Sequence, residues 1–413
     1  MNNDNDTINT KIGFSDLKIG TTLTQNLEKL NITEPTLVQQ KIIPLIEEGK
    51  NIMFQSETGT GKTFAYLLPL LQKIENEENP KSSVKLMIAA PTYELASQIK
   101  IQLQSVSDIK AVLCIGGSPL ARQIENLKEK PEVVIGGPSR LIELIHLKKL
   151  KADNIKTLVL DEADRLLSPE LRDETEKLLE RLPLSVQLIG CSATVSEYTK
   201  KTLINARSLS SERIQKALGK KEIEKYSGEI ELISLPPEDI LRKKITHWAI
   251  FAEQRDKIDT LRSFIHAVEP KKLIVFTSRT DQIENITKKL LYRKINCASL
   301  SSKTDKKERK AAIDRFRSGK CPILITTDLA SRGIDIVGIS HVVQMDLPES
   351  TDFFIHRAGR TARAGQSGIN CVIGDAREMQ HYASLEKKLK LYVRPKILYE
   401  GKLLNPTDIE EKL

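Results

Sequence analysis

The feature that most restricts the fold of this chain is a repeated alternation. Short β-branched apolar runs are each followed by a longer amphipathic stretch. The runs are NIMFQ (51–55), KLMIAA (85–90), AVLCI (111–115), EVVIG (132–136), TLVLD (157–161) and VQLIG (186–190). The pattern pauses over 205–240, a stretch rich in Lys, Glu and Ser that ends near Leu235-Pro236-Pro237, and then resumes. The second set is KLIVFT (272–277), NCASL (296–300), PILITT (322–327), HVVQM (341–345) and NCVIG (370–374). Strand-then-helix alternation argues for parallel sheets of the α/β class. The pause predicts two such lobes. The expected division is a mobile N-terminal tail at 1–12, a first domain over 13–208, a linker over 209–240, a second domain over 241–395 and a short C-terminal tail over 396–413.

Composition removes several alternatives. With 413 residues, 39% of them hydrophobic, the chain is long enough for two or three cores and too apolar for disorder. The longest strictly apolar run, Phe64–Leu71, falls far short of the roughly 20 residues a membrane span needs. No membrane association is expected. The first ten residues are polar and acidic, without a signal or presequence pattern, so a cytoplasmic protein is expected. Five scattered cysteines without a C-x-x-C read as reduced, packed thiols. The histidines show no metal spacing, and Trp248, in an alternating run, reads as a half-buried strand residue.

Charge is unevenly placed. Residues 1–200 carry 24 Lys+Arg and 27 Asp+Glu, whereas residues 201–413 carry 40 and 28. The net +9 therefore belongs to the second half, which is expected to meet a polyanion.

Two local motifs carry chemistry. After the run 51–55 come Ser56, Glu57, Thr58, Gly59, Thr60, Gly61, Lys62 and Thr63, and then a helical pattern. Glycines let the backbone curl so that N–H groups converge on phosphate oxygens, and the helix start adds partial positive charge. Lys62 is expected to reach the β and γ phosphates and Thr63 to ligate Mg²⁺. Ser56 stands where such loops usually begin with glycine. The second motif is Asp161-Glu162-Ala163-Asp164, at the end of an apolar run. Asp161 is expected to hold Mg²⁺ through water, and Glu162 to orient or deprotonate the attacking water.

With these residues in order, the chain resembles the DEAD-box ATP-dependent RNA helicases of superfamily 2, most closely the short bacterial type, from about Phe14 to about Arg394. The resemblance implies two tandem RecA-like domains with ATP and Mg²⁺ as cofactors and ATP hydrolysed in the cleft between the domains. It implies local unwinding of short RNA duplexes or remodelling of RNA–protein complexes. Phe14 and Gln39, 25 residues apart, match the Q motif, so the glutamine would read adenine and the aromatic pack near the base. Ser192-Ala193-Thr194 is similar to the motif that, with Asp164 and Arg332, couples ATP to RNA binding. In the second half, 327–335 resembles motif V, in which Thr327 would touch an RNA phosphate and Asp335 the ribose. Residues 356–363 resemble motif VI: Arg360 and Arg363 would reach the γ-phosphate, and His356 the acidic box. Arg357, Arg360 and Arg363 also read as an anion-binding cluster.

By the same resemblance RNA is gripped through its backbone by Thr92, Gly117, Arg140, Arg309 and Thr327. RNA-processing or ribosome-assembly proteins are the expected partners. The departures fall on this side. Tyr93 replaces an arginine, Gly137 a threonine, Lys306 a glutamine, and Leu300-Ser301-Ser302 the usual His-Gly-Asp. The basic segment 303–320 is expected to compensate, with eight basic and three acidic residues. Three alternatives remain open at this level: a non-unwinding ATP-gated RNA clamp, a simple phosphotransferase and a DNA helicase, since only the resemblance favours RNA over DNA. The second would not need a second lobe carrying arginines.

Overall fold

The computed structural model describes residues 12–55, 60–77, 83–183, 185–192, 202, 230–234, 240–301, 304–328, 336, 338–362 and 366–410. Two compact units part between Leu235 and Pro236.

In the first unit the described elements are, in order, α1 (Thr21–Lys29), α2 (Leu37–Glu47), β1 (Ile52–Gln55), α3 (Lys62–Glu75), β2 (Leu86–Ala89), α4 (Tyr93–Val106), β3 (Ala111–Cys114), α5 (Leu120–Lys128), β4 (Val133–Gly136), α6 (Pro138–His146), β5 (Thr157–Asp161), α7 (Ala163–Leu166), α8 (Arg172–Arg181), β6 (Gln187–Ser192) and β7 (Glu231–Ser234). The strands form one parallel sheet in the order β3-β4-β2-β5-β6-β1-β7. Alternate residues of each strand enter different cores. Leu86 and Ile88 pack with α2, α3 and α4, while Met87 and Ala89 pack with α6 and α8. Burial on both faces is why these strands read as unbroken apolar runs.

In the second unit the described elements are β8 (Ile245–Phe251), α9 (Lys257–Val268), β9 (Leu273–Phe276), α10 (Thr280–Tyr292), β10 (Cys297–Leu300), α11 (Lys306–Arg317), β11 (Ile323–Thr326), β12 (His341–Gln344), α12 (Thr351–Ala358), β13 (Gly368–Gly374), α13 (Ala376–Leu389), β14 (Val393–Tyr399), β15 (Lys402–Leu404) and α14 (Thr407–Glu410). The sheet order is β10-β11-β9-β12-β13-β8-β14-β15, parallel except for the antiparallel β14–β15 hairpin.

Two expected boundaries change. The stretch expected as a linker contains β7, which pairs with β1, residue Ile52 opposite Glu231. The stretch expected as a tail contains most of β14, and β15 and α14. Leu398 and Leu403 pack on the core under α9, so the hairpin is held by apolar burial. Trp248 meets Phe264 edge-on at 6.4 Å, the packing role expected of it. The five cysteines are free and buried.

Candidate functional site

Apart from Phe14 and Gln39, the described candidate residues of the first unit follow the carboxyl ends of the strands, where parallel sheets bind ligands. Strand order sorts them. The nucleotide candidates follow β1, β5 and β6, three neighbours. The RNA candidates follow β2, β3 and β4, also neighbours, on the other half of the sheet.

The phosphate loop is described from Thr60 onward; Ser56, Thr58 and Gly59 lie outside the described residues. Gly61 caps α3 at φ +87°, and a Cβ there would stand 2.5 Å from Nε2 of Gln39. Left-handed backbone and close approach together require glycine. Gln39 is buried, and its Nε2 donates to the carbonyl of Gly61 at 3.2 Å. Its Oε1 accepts from the Thr36 amide at 2.9 Å, closing a capping box on α2. Gln39 therefore ties the start of α2 to the phosphate loop. Each amide atom keeps one further hydrogen-bonding position. Phe14 departs from expectation: it is buried in the core with α1, α2 and α3 rather than open to a base.

Lys62 opens α3, and Thr63 follows. One turn on, the hydroxyl of Tyr66 bonds Thr63 and donates to Oδ2 of Asp161 at 2.7 Å. Oδ1 of Asp161 accepts from the Glu162 amide at 2.9 Å and the Cys191 thiol at 3.2 Å. Burial pushes the Asp161 carboxyl up, and Lys62, Tyr66 and Cys191 pull it back. The same burial pushes the Tyr66 and Cys191 groups far up, so both stay protonated donors. Glu162 stands at φ 52°, its carboxylate 3.1 Å from Nη1 of Arg165. Asp164 accepts from the Arg165 amide. Ser192, buried at the end of β6, lies in register with Gln55 at the mouth of the loop. Thr194 lies outside the described residues.

The donor set suits Mg²⁺ in part. Among the described residues no three His, Cys, Asp or Glu side chains form a cage. A hard, octahedral ion usually takes one or two protein oxygens and completes its shell with water and phosphate. Thr63 and Asp161, bridged by Tyr66, offer that number.

On the RNA half, Thr92 caps α4, its Oγ1 accepting from the Leu95 amide. Tyr93, at the first helical position, is 52% exposed. Gly117 has a φ of 76°. Arg140 departs from expectation. Its Nη1 donates to the Ser118 carbonyl at 3.2 Å and its Nε pairs with Glu143 at 2.8 Å, so it shapes the Gly117 loop. A Cβ at Gly137 would meet nothing within 4 Å, so the missing threonine is not excluded by space.

In the second unit Thr327 follows β11 and is buried. Arg309 lies in the first turn of α11, whose cap is Asp305, accepting from the amides of Lys307 and Glu308. His356 lies on α12, and Arg360, just beyond it, is largely buried. Arg332, Asp335 and Arg363 lie outside the described residues. Arg357 overturns the three-arginine anion cluster. It is 1% exposed and grips Asp328 with two bonds of 2.7 Å. It also donates to the Asp346 carbonyl and to Oγ of Ser278. One buried guanidinium thus joins the loops after β9, β11 and β12. No local pattern announces this clamp, because its partners Ser278, Asp328 and Asp346 come from loops after three different strands.

Residues 36–202 match the DEAD/DEAH box helicase family model, and residues 256–365 the helicase conserved C-terminal domain. The DEAD-box ATP-dependent RNA helicase CshC of Bacillus cereus is 35% identical over 386 residues, 92% of each chain. The chain belongs to the DEAD-box RNA helicase family. The probable ATP-dependent RNA helicase YfmL of Bacillus subtilis is 32% identical over 92% of this chain and 95% of its own. A solved S. cerevisiae Dbp5 variant bound to RNA and ADP BeF3 shares the fold, with TM-score 0.78, 24% identity and coverage of 97% and 98%. This DEAD-box protein thus has two RecA-like domains. Among its described residues, no helix is long and apolar enough to cross a membrane.

Proposed function

We propose that this protein is an ATP-dependent RNA helicase that locally separates short duplexes or remodels RNA–protein complexes. The observation that carries the reading is the contiguity of Gly61, Lys62, Thr63, Tyr66 and Asp161 at the ends of β1 and β5, in a chain with DEAD-box relatives along nearly all its length.

Within this reading the phosphates lie on the amides of 56–61, with Lys62 neutralising charge on the β and γ groups. Gln39 holds the loop and offers its spare amide positions to the base. Mg²⁺, when bound at Thr63 and Asp161, supplies charge neutralisation to the phosphates. Tyr66 orients the Asp161 carboxylate, and burial keeps that hydrogen bond strong. Glu162 orients or deprotonates the attacking water, its carboxylate steadied by Arg165. Arg360 and Arg363 supply cations to the transferring group, with His356 beside them; trans-acting arginines contribute about 10³–10⁵ in rate elsewhere. Asp335 contacts the ribose. Asp164, Ser192, Thr194 and Arg332 couple nucleotide state to RNA. Thr92, Gly117, Arg309 and Thr327 hold the RNA backbone, with Arg140 shaping the first grip. RNA-processing or ribosome-assembly proteins supply the choice of RNA, in the cytoplasm.

ATPase activity with and without structured RNA, measured beside strand displacement, tests the reading. RNA-stimulated turnover with displacement is expected. Turnover indifferent to RNA would overturn it.

A further inference from the structure

The seven parallel strands of the second unit begin at one edge of the sheet and end at the other. The RNA candidates Arg309 and Thr327 lie at the ending edge, whereas Thr361, within 356–363, bonds the Ile339 carbonyl just before β12; the excess charge lies away from Arg309 and Thr327. Described segments at the ending edge (252–260, 277–283, 304–309, 345–350 and 375–379) carry seven Lys or Arg against ten Asp or Glu. Segments leading into the strand starts (240–244, 265–272, 289–296, 314–322 and 386–392) carry fourteen against three. All fourteen cations are exposed except the half-buried Lys272. The segment 303–320, expected to grip RNA beside the motifs, is divided by this geometry. Lys307 and Arg309 lie at the motif edge, while Arg315, Arg317 and Lys320 lie at the far one.

The basic segments adjoin in two groups, one before β9, β10 and β11 and one before β8 and β14, with the starts of β12 and β13 between them. Nδ2 of Asn296 donates to the Lys320 carbonyl at 2.7 Å, Nζ of Lys272 to the Arg317 carbonyl at 2.9 Å, and Nε of Arg242 to the Leu389 carbonyl at 3.1 Å. From β10 to β14 is six strand spacings, about 29 Å. The helix dipole favours cations near a helix C-terminus. Several cations crowd at each helix end, so these segments keep a net positive charge beyond what one dipole terminus attracts. An exposed tyrosine beside an arginine stands at each end of the rim. Tyr292 is 83% exposed with Arg293 at 5.8 Å from its ring, and Tyr392 is 75% exposed with Arg394 at 5.7 Å. A cleft of about 450 Å³ opens beside Tyr292, lined also by Lys288, Lys289, Arg293 and the Arg262–Asp259 pair. Cations along a track with aromatic rings at intervals suit a nucleic-acid strand.

We propose that this edge is a second RNA-binding surface, which takes the phosphate backbone of a segment different from the one held at the motifs. The proposal rests on the helicase reading. Its role is tethering: a long RNA held at both edges gains effective concentration at the motifs, and a short one does not.

The test is the full chain carrying Lys243→Glu, Lys244→Glu, Lys271→Glu and Lys294→Glu, with the four Lys→Gln changes as a milder variant that separates charge from misfolding. Affinity is measured over a salt series for a short single strand and for a long RNA carrying a duplex. The expected result is a loss of at least about tenfold on the long RNA, with a salt slope lower by about 3. Short-strand affinity and short-strand-stimulated turnover stay unchanged. Equal losses on both RNAs, or none on the long one, overturn the proposal. So does binding to phosphatidylserine vesicles that depends on these lysines while long-RNA affinity does not; that outcome assigns the edge to a membrane. Wild-type turnover indifferent to both RNAs removes the helicase reading itself, an outcome distinct from losing the length effect alone.

Discussion

The hydroxyl of Tyr66 donates to Oδ2 of Asp161 across 2.7 Å, joining the first turns of the phosphate-loop helix to the carboxylate at the end of β5. Both groups are buried. A hydrogen bond to a charged group contributes about 1.5–3 kcal/mol, and this one favours the ionised acid. Tyr66→Phe should therefore lower stability by about that amount. Because the bond pulls the Asp161 carboxyl down, its loss should move the acid limb of the ATPase pH profile upward. The profile of kcat/KM for ATP against pH checks this, and an unmoved limb would count against the orienting role.

Glu162→Gln keeps the shape of the side chain beside Arg165 and removes its basicity. Nucleotide affinity and Tm should hold while kcat falls by about 10²–10⁴. Single-turnover hydrolysis beside nucleotide binding separates the two effects, and retained turnover would remove Glu162 from that role.

Tyr93 offers no charge where the resembled motif would place an arginine. Tyr93→Arg should tighten RNA binding and steepen the salt dependence by about 0.7 per added contact. A cation at a helix N-terminus costs about 0.3–1 kcal/mol, so a slightly lower Tm should accompany it. RNA titrations at fixed salt decide this; unchanged affinity would show that the first unit does not use this position.

Arg357→Lys should destabilise the second unit, because a lysine cannot keep both bonds to Asp328 along with those to Asp346 and Ser278. Breaking a buried pair costs about 3–5 kcal/mol, and the retained charge recovers some of it, so a loss of about 2–4 kcal/mol is expected. Thermal unfolding measures it.

Acid should loosen the same unit through His341. Burial lowers this imidazole to about 4. Its Nδ1 contacts Oγ of Ser340, and its Nε2 is buried without a partner among the described residues. The folded value lies below the unfolded one of about 6.5, so the contribution is complete above 6.5 and is lost as pH falls toward 4. By pH 5 the loss is about 2 kcal/mol. His247, also lowered by burial, adds in the same direction. His341→Phe, which keeps a ring against Trp248 and Phe264, should flatten the dependence of Tm on pH between 7 and 5.

Much of this molecule was legible residue by residue. Each apolar run named from the sequence became a strand, because a strand buried on both faces must be apolar throughout. Gly61-Lys62-Thr63 declared a phosphate loop, since only glycine accepts the left-handed turn that opens the helix. The hairpin Val393–Leu404 escaped notice because its exposed Arg394 and Lys402 and half-buried Lys396 hide the few residues that bury.

The sequence by itself determined the α/β class, the nucleotide chemistry and the sum of charge in the second half. These depend on periodicity, glycine conformation and composition, which act within a few residues. Only the tertiary structure decided where that charge lies, that Arg357 is a buried clamp, that Phe14 is core, and that Gln39 and Arg140 are engaged within the fold. Each of those depends on which strand lies beside which. Strand order places the starts of seven strands together on one edge, and no count along the chain records that neighbourhood.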